Sequence, residues 1–438
     1  MKIITKWLVN LVSRYLPDDY ILALGMTLLV FCAALFWTPS SALSLVDYWG
    51  KGLVSLYGFT TQIILILITG HVLANTKQVK KILTTISAWP KTPAQAVMFT
   101  AAISYLLSFL NWGLGMIGGA ILARKVATNN RGAHYPILVA AVYGGTLARG
   151  FSASIPLVVA TPGHFLEKVM GVIPVSQTLF SPLNWFIDIG VGILLVLTMR
   201  YMMPPTDEVI GISDKLVKED EKVEETPEIL TPADRFNNNS IASYVVGIFG
   251  LVYVANYFMK VKTFNINIDI VIIFFLVLGF LLFGNPMRYK TAFYNGAKSV
   301  GPVLLQFPIY AGMMGIMQHS GLTNVISQWF INCSTPHSFP LMTFLSSGLV
   351  NIAIPSGGGI WAVQGPIMMK AAEKLGADMG TTLIAFTWGE AWTNQIQPFW
   401  ALPILAVAGL GIKDIMGYCA GFTIISGLFI GIVLAIVG

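Results

Sequence analysis

Apolar runs of about 20 residues, parted by short polar or charged stretches, recur along the whole 438-residue chain. A run of that length spans the roughly 30 Å hydrocarbon layer of a bilayer when helical. Residues 20–37, 53–74, 184–203, 241–259, 269–283, 300–318 and 415–437 read in this way. The apolar positions are continuous and do not alternate in segments of about 10, the pattern of a closed barrel. Four further stretches are apolar but interrupted by Asn, Pro and Gly. Residues 94–123 and 339–369 read as re-entrant hairpins, and 137–160 and 383–405 as spans broken part-way. The fold expected is an all-α polytopic membrane protein of about 9 spans, with two re-entrant hairpins and two broken helices.

The pattern repeats. Gln62 pairs with Gln306, Gly70 with Gly315, Pro93 with Pro336, Asn111 with Asn351, and Tyr143-Gly144 with Trp388-Gly389. Pro156 and Pro162 pair with Pro398 and Pro403. All lie roughly 240 to 245 positions apart, and a near-constant offset across unlike residues is the signature of an internal repeat. The one long hydrophilic stretch, 204–240, falls between the copies and carries the charged run Lys218 to Pro227, the composition of a solvated linker. This divides the chain into a first repeat (1–203), a linker (204–240) and a second repeat (241–438). The extra span 241–259 starts the second copy from the opposite side, so the repeat is inverted. Ahead of the first span, Ile4, Trp7, Leu8, Leu11 and Tyr15 share one helical face within 1–15, which suggests a helix lying in the interface.

Composition supports the membrane reading: 55% of residues are hydrophobic and 11% charged, against about 25% charged in soluble domains. The net charge of +6 points to membrane orientation and not to nucleic acid, because the cations sit in loops. In the topology above, Lys51, Lys168, Lys260, Lys262, Lys370 and Lys374 lie on one side, Arg149 lies within a span, and the rest of the 26 lie on the other side. The cation-rich side is cytoplasmic by the positive-inside rule. The N-terminus and linker then face the cytoplasm of a bacterial inner membrane and the C-terminus the periplasm. Cys32, Cys333 and Cys419 fit no paired or metal spacing and read as apolar helix residues. His71, His134, His164, His319 and His337 are dispersed. With no metal spacing and no nucleophile-base constellation, a membrane-embedded enzyme is disfavoured and no cofactor is expected.

Candidate chemistry sits at the interruptions, since non-helical backbone inside a membrane persists only when buried in protein or lining a polar cavity. The hairpins break at Asn111-Trp112-Gly113 and between Asn351 and Ser356-Gly357-Gly358-Gly359, the latter preceded by Pro355. The broken spans break at Ser152-Ala153-Ser154 and at Asn394 to Gln397, each followed by proline, where Ser154 or Gln397 is placed to cap the next turn. Half-helix N-termini meeting at the midplane would face an anion. Leaving a carboxylate unpaired at low dielectric costs several kcal/mol. A helix terminus returns roughly 0.3–2 kcal/mol and each hydrogen bond to the charge roughly 1.5–3. Asn111, Trp112, Gly113, Ser152, Ser154, Asn351, Ser356, Gly357, Gly358, Gly359, Asn394 and Gln397 are therefore the candidate substrate-binding residues. Arg149 and Glu390 are the intramembrane charges, placed to pair with each other, to meet the substrate, or to couple a proton or sodium ion. Asp188, near a span's start, reads as interfacial. Of the aromatics near the breaks, Trp112, Phe151, Trp361, Trp392, Phe399 and Trp400, one or two are expected to wall an alkyl pocket. The plainer use of Gly and Pro in membrane helices is close packing or a kink.

Pro355-Ser-Gly-Gly-Gly, Gln364-Gly-Pro366, Gly389-Glu390, Gln397-Pro-Phe-Trp-Ala-Leu-Pro403 and Asp414-Ile-Met-Gly-Tyr418 resemble the bacterial short-chain fatty acid transporter family of the AtoE type. So do Trp49-Gly50, Gly70-His71, Asn111-Trp112-Gly113 and Ala160-Thr-Pro-Gly163. The resemblance covers nearly the whole chain. It implies uptake of short-chain fatty acids such as butyrate or acetoacetate by ion-coupled symport. It also implies scaffold and transport domains moving as an elevator, in a homodimer. The competing expectations are a carrier of another small organic anion or of cations, and a channel, which would conduct without saturation.

Overall fold

The local chemistry of the breaks recurs at the helix starts. Ser41, Thr76, Thr92, Ser181, Asn267, Asn285 and Asp378 each accept a backbone N–H of the first turn they precede. Proline opens several of those helices, where its missing N–H costs nothing. The computed structural model describes residues 17, 19–220, 231–261, 266–298, 300–354 and 356–438. The expected interfacial helix over 1–15, most of the charged run in the linker, and Pro355 lie outside the described residues. The described regular structure is entirely helical.

The helices run in the same order twice. The first half has Asp19–Trp37, a short helix Ala42–Leu53, the span Tyr57–Ala74 and a short amphipathic helix Lys77–Ile86. Hairpin arms Pro93–Leu110 and Trp112–Asn129 follow, then the broken span Tyr135–Gly145 and Ser154–Val159, and the closing span Pro182–Tyr201. After the extra span Ile241–Val261, the second half repeats it. Ile268–Phe283, Pro286–Ala297, Gly301–Ser320 and Leu322–Cys333 lead to arms Phe339–Ala353 and Gly357–Leu375. Met379–Asn394, Pro398–Ala408 and Ile412–Val437 complete it. Among the described residues five helices are long and apolar enough to cross a membrane alone, and the pair Pro286–Ala297 and Gly301–Ser320, bent by 51°, forms a sixth candidate. The apolar run expected to begin at residue 53 starts at Tyr57, because Leu53 ends the separate short helix before it.

Packing exchanges the halves. Ala42–Leu53 lies on Gly301–Ser320, and its counterpart Pro286–Ala297 lies on Tyr57–Ala74; Asp19–Trp37 meets Gly301–Ser320 as Ile268–Phe283 meets Tyr57–Ala74. At the first of these seams glycines bring backbones together. A Cβ added to Gly52 would sit 2.5 Å from the Ala311 carbonyl oxygen and 3.0 Å from the Gly312 Cα. Small residues permit such approach where lipid supplies no hydrophobic drive between helices. The outer faces remain apolar and uncovered, with Phe36, Leu28 and Phe249 at 81%, 67% and 68% exposure, as lipid-facing surfaces are.

The start of the linker is docked through its backbone and Ile212, while most of its side chains stay exposed. The Tyr135 N–H donates to the Ile210 carbonyl (2.8 Å), and the Ile210 N–H to His134 Nδ1 (2.9 Å). Arg131 pairs with Asp214 at 3.1 Å, and Arg124 bridges the carbonyls of Val407 (3.0 Å) and Leu216 (2.8 Å). Val407 ends the second broken span, so a guanidinium there satisfies carbonyls that a helix C-terminus leaves unpaired.

Gly52→Ala is expected to destabilise the detergent-solubilised protein by about 1–3 kcal/mol through overpacking. Gly50→Ala, where nothing lies within 4 Å, should stay within about 0.5 kcal/mol. Thermal unfolding of the two variants side by side checks this.

Candidate functional site

Each hairpin tip is built from one polar residue that ends the first arm's approach and caps the second. Asn111 Oδ1 accepts the Leu114 N–H at 2.9 Å, and Ser356 Oγ accepts the Gly359 N–H at 3.3 Å. At the first tip a second side chain helps: Ser152 Oγ, from the first broken span, accepts the Trp112 N–H at 2.9 Å. The broken spans are tied to the tips and to each other. The Tyr143 hydroxyl lies 2.5 and 2.7 Å from the carbonyl oxygens of Asn394 and Gln397. Gln397 Nε2 donates to the Ile352 carbonyl (2.8 Å), and Gln395 Nε2 to Thr146 Oγ1 (3.2 Å). Asn351 Nδ2 donates to Asn394 Oδ1 (2.7 Å) and Thr393 Oγ1 (3.0 Å). The expected caps at the broken spans do not form. Ser154 lies inside its helix, and Gln397 precedes its helix but spends its amide on the second hairpin.

All four breaks open onto one cavity with about 90 Å³ of space for water-sized contents, where roughly 10–15 Å³ of such space holds one water. Trp112, Ser152, Ser154, Ser356, Gly357, Gly358, Asn394, Arg149 and Glu390 line it. Asn111, Asn351 and Gln397 stand behind the wall and hold its backbone in place. Gly113 and Gly359 serve packing: an added Cβ would meet the Gly70 Cα at 3.3 Å in the first case and the Tyr310 ring at 2.5 Å in the second. Trp112 and Trp400, edge to face at 5.6 Å, are the two tryptophans of the wall. Trp361 packs on Phe386, Trp392 stacks on Phe344, and Phe151 packs on Phe109 and Phe180. Tyr143, Thr146, Met116, Ile63, Ile66, Ala148 and Ala153 complete the lining and were not singled out as site residues by the sequence. Tyr143 carried a signal, as the partner of Trp388 in the repeat. Ile63 and Ile66 carried none, being apolar residues within an apolar span.

One guanidinium and two carboxylates meet beside the cavity. Arg149 donates from Nε to the Leu147 carbonyl (3.0 Å) and from Nη2 to the Thr146 carbonyl (2.9 Å), and its Nη1 lies 3.4 Å from Glu390 Oε1. Of its five N–H donors, three have these partners, so each terminal nitrogen keeps one more. Glu390, 3% exposed, also takes the Asn394 amide at 3.4 Å and presses on Gly357, whose added Cβ would sit 3.1 Å from Oε1. Asp188 is not interfacial as expected but 2% exposed. It accepts the Tyr105 hydroxyl (2.6 Å) and the Arg149 backbone N–H (3.0 Å). Those two donors compensate its burial.

A family model described as "Short chain fatty acid transporter" matches residues 1–437. The chain is 43% identical over 428 residues to a protein of Escherichia coli (strain K12), covering 97% of each. It is 41% identical over 426 residues to one of Haemophilus influenzae (strain ATCC 51907 / DSM 11121 / KW20 / Rd), covering 95% of each. Both are provisionally named short-chain fatty acid transporters. Among solved structures, the YdaH transporter of Alcanivorax borkumensis superposes with a TM-score of 0.59 at 15% identity, covering 96% of this chain and 98% of that one. At that identity the likeness is one of fold.

Tyr143→Phe leaves the carbonyls of Asn394 and Gln397 without their shared donor. It is expected to cost about 1–3 kcal/mol of stability and to speed amide hydrogen exchange around 394–400, with the stretch 112–118 unchanged. Exchange mass spectrometry on the purified variant reads both regions.

Proposed function

This chain belongs to the short-chain fatty acid transporter family, and we propose on that basis that it carries small monocarboxylates such as butyrate or acetoacetate across the bacterial cytoplasmic membrane. The observation that carries this reading is the single small cavity onto which all four breaks open, with one guanidinium in its wall. A carboxylate fits between the Arg149 guanidinium, the Ser154 and Ser356 hydroxyls, and the first N–H groups of Gly357–Leu375, which have no acceptor within their own helix. Gly357, beside which the Glu390 carboxylate already lies, lets an anion approach that helix start closely, and the helix dipole adds to the attraction. Ile63, Ile66, Met116, Trp112 and Trp400 give the opposite side an apolar surface for a short alkyl tail. Lone Arg149 suits one carboxylate better than two, since a second would stay unpaired at a cost of several kcal/mol.

The carrier works by alternating access in symport with a cation, either a proton or sodium, in a homodimer. The reciprocal packing of the halves supports an inverted repeat, because a twofold in the membrane plane exchanges equivalent contacts in this way. Ile63 and Ile66 come from Tyr57–Ala74, whereas the polar wall comes from hairpins and broken spans. Movement of those elements along Tyr57–Ala74, as an elevator, transfers the seat between faces. The cation-rich loops support an N-terminus in the cytoplasm and a C-terminus in the periplasm.

Purified protein in liposomes is expected to show saturable uptake of labelled butyrate above protein-free vesicles. Competition should strengthen from acetate to butyrate and fade for octanoate, whose tail exceeds the cavity. Ser154→Ala and Ser356→Ala should each raise the half-saturating concentration about tenfold or more, as loss of a hydrogen bond to a charge implies. Non-saturating flux, or uptake unmoved by the double variant, overturns the site.

A further inference from the structure

The cavity wall holds a cation that is already partnered, and this constrains what can enter. Arg149 faces Glu390 at 3.4 Å and has Asp188 on its own backbone N–H, so a substrate carboxylate arriving alone would set three negative groups against one guanidinium. Uncompensated charge in a buried site is not tolerated and is removed by neutralisation. The two resident carboxylates are not equivalent. Asp188 is committed to the Tyr105 hydroxyl and the Arg149 amide, away from the cavity contents. Glu390 lines the cavity, and its contacts with Arg149 and Asn394 are both long, at 3.4 Å.

We propose that a carboxylate entering the cavity displaces Glu390 from Arg149 and that Glu390 then binds one proton, so each monocarboxylate crosses with one proton and no net charge moves. This rests on the carrier reading above and names its coupling ion. The balance closes. The empty site holds Arg149⁺ with Glu390⁻ and Asp188⁻, and the loaded site holds Arg149⁺ with the substrate carboxylate, Asp188⁻ and neutral Glu390. Both states carry the same charge, so both can reorient. On release the substrate leaves Arg149, Glu390 gives its proton to the same compartment and returns to the guanidinium.

Among the described residues, the ionisable side chains that line the cavity besides Glu390 are Arg149 and Tyr143. The first broken span offers Arg149 and the Tyr143 hydroxyl, and Tyr143 is committed to the carbonyls of Asn394 and Gln397. The closing span offers Asp188. Residues 339–369 and 154–159 carry no ionisable side chain, and those of Ile412–Val437 are confined to 413–419.

The test is calorimetric titration of the full-length protein with butyrate at pH 7.5 in phosphate, HEPES and Tris, whose different ionisation heats report proton uptake. Wild type is expected to take up close to one proton per butyrate bound. Its affinity should fall by up to about tenfold per pH unit between pH 6 and 8, as one bound proton requires, with or without sodium. Glu390→Gln should bind with no proton uptake and a flat pH profile. In liposomes wild-type uptake should be electrically silent. Butyrate binding without proton uptake in wild type, or binding that requires sodium, overturns the proposal while leaving the carrier reading intact. No heat with butyrate or its homologues overturns the carrier reading itself. The wild-type measurement decides even if Glu390→Gln does not fold.

Discussion

The structure depends on one constraint: a peptide group inside a bilayer must find its hydrogen-bond partner within the protein. Four helices of this chain stop within the fold, and each interruption strands donors and acceptors. They are satisfied partly by local caps, as at Asn111 and Ser356, and partly across the molecule. Ser152 of one half's broken span serves Trp112 of that half's hairpin, Gln397 serves Ile352, and Tyr143 of the first half serves the break of the second. The interruptions therefore hold one another in place, and the cavity is the space left between them.

That arrangement explains why the cavity wall is polar without being strongly charged. Most of its donors are backbone groups at helix starts and neutral hydroxyls, which attract an anion without the desolvation cost of several burnt-in cations. The one guanidinium is held by two backbone carbonyls and a carboxylate, so it is fixed in orientation before any ligand arrives. Preorganisation of this kind spares the cost of ordering a long side chain on binding. The same packing that fixes Arg149 also fixes its counter-charge, Glu390, at the cavity wall.

Away from the site, the docked start of the linker shows how the two halves communicate at one end of the fold. Arg124 of the first hairpin grips the end of the second broken span and the linker together. Ile210, Ile212 and Leu216 supply enough backbone and apolar contact to seat the beginning of a segment whose composition is hydrophilic.

The sequence by itself determined the helical class, the doubled order of elements, the four interruptions and the two charges that matter, because each is a local property. Span length, proline and glycine placement, and an ionisable residue in an apolar run are all readable without neighbours. What only the tertiary structure decided is which residues face the shared space. Ile63 and Ile66 look like any apolar residues of a span until helix Tyr57–Ala74 is laid against the hairpin tips. Gly113, Gly358 and Gly359 look like Gly357 until Gly70, Phe59 and Tyr310 are seen to fill the space beside them. Asp188 reads as an interfacial acid until Tyr105, 83 positions away, is found on its carboxylate. Facing is a relation between segments distant in the chain, and no local pattern of polarity encodes it.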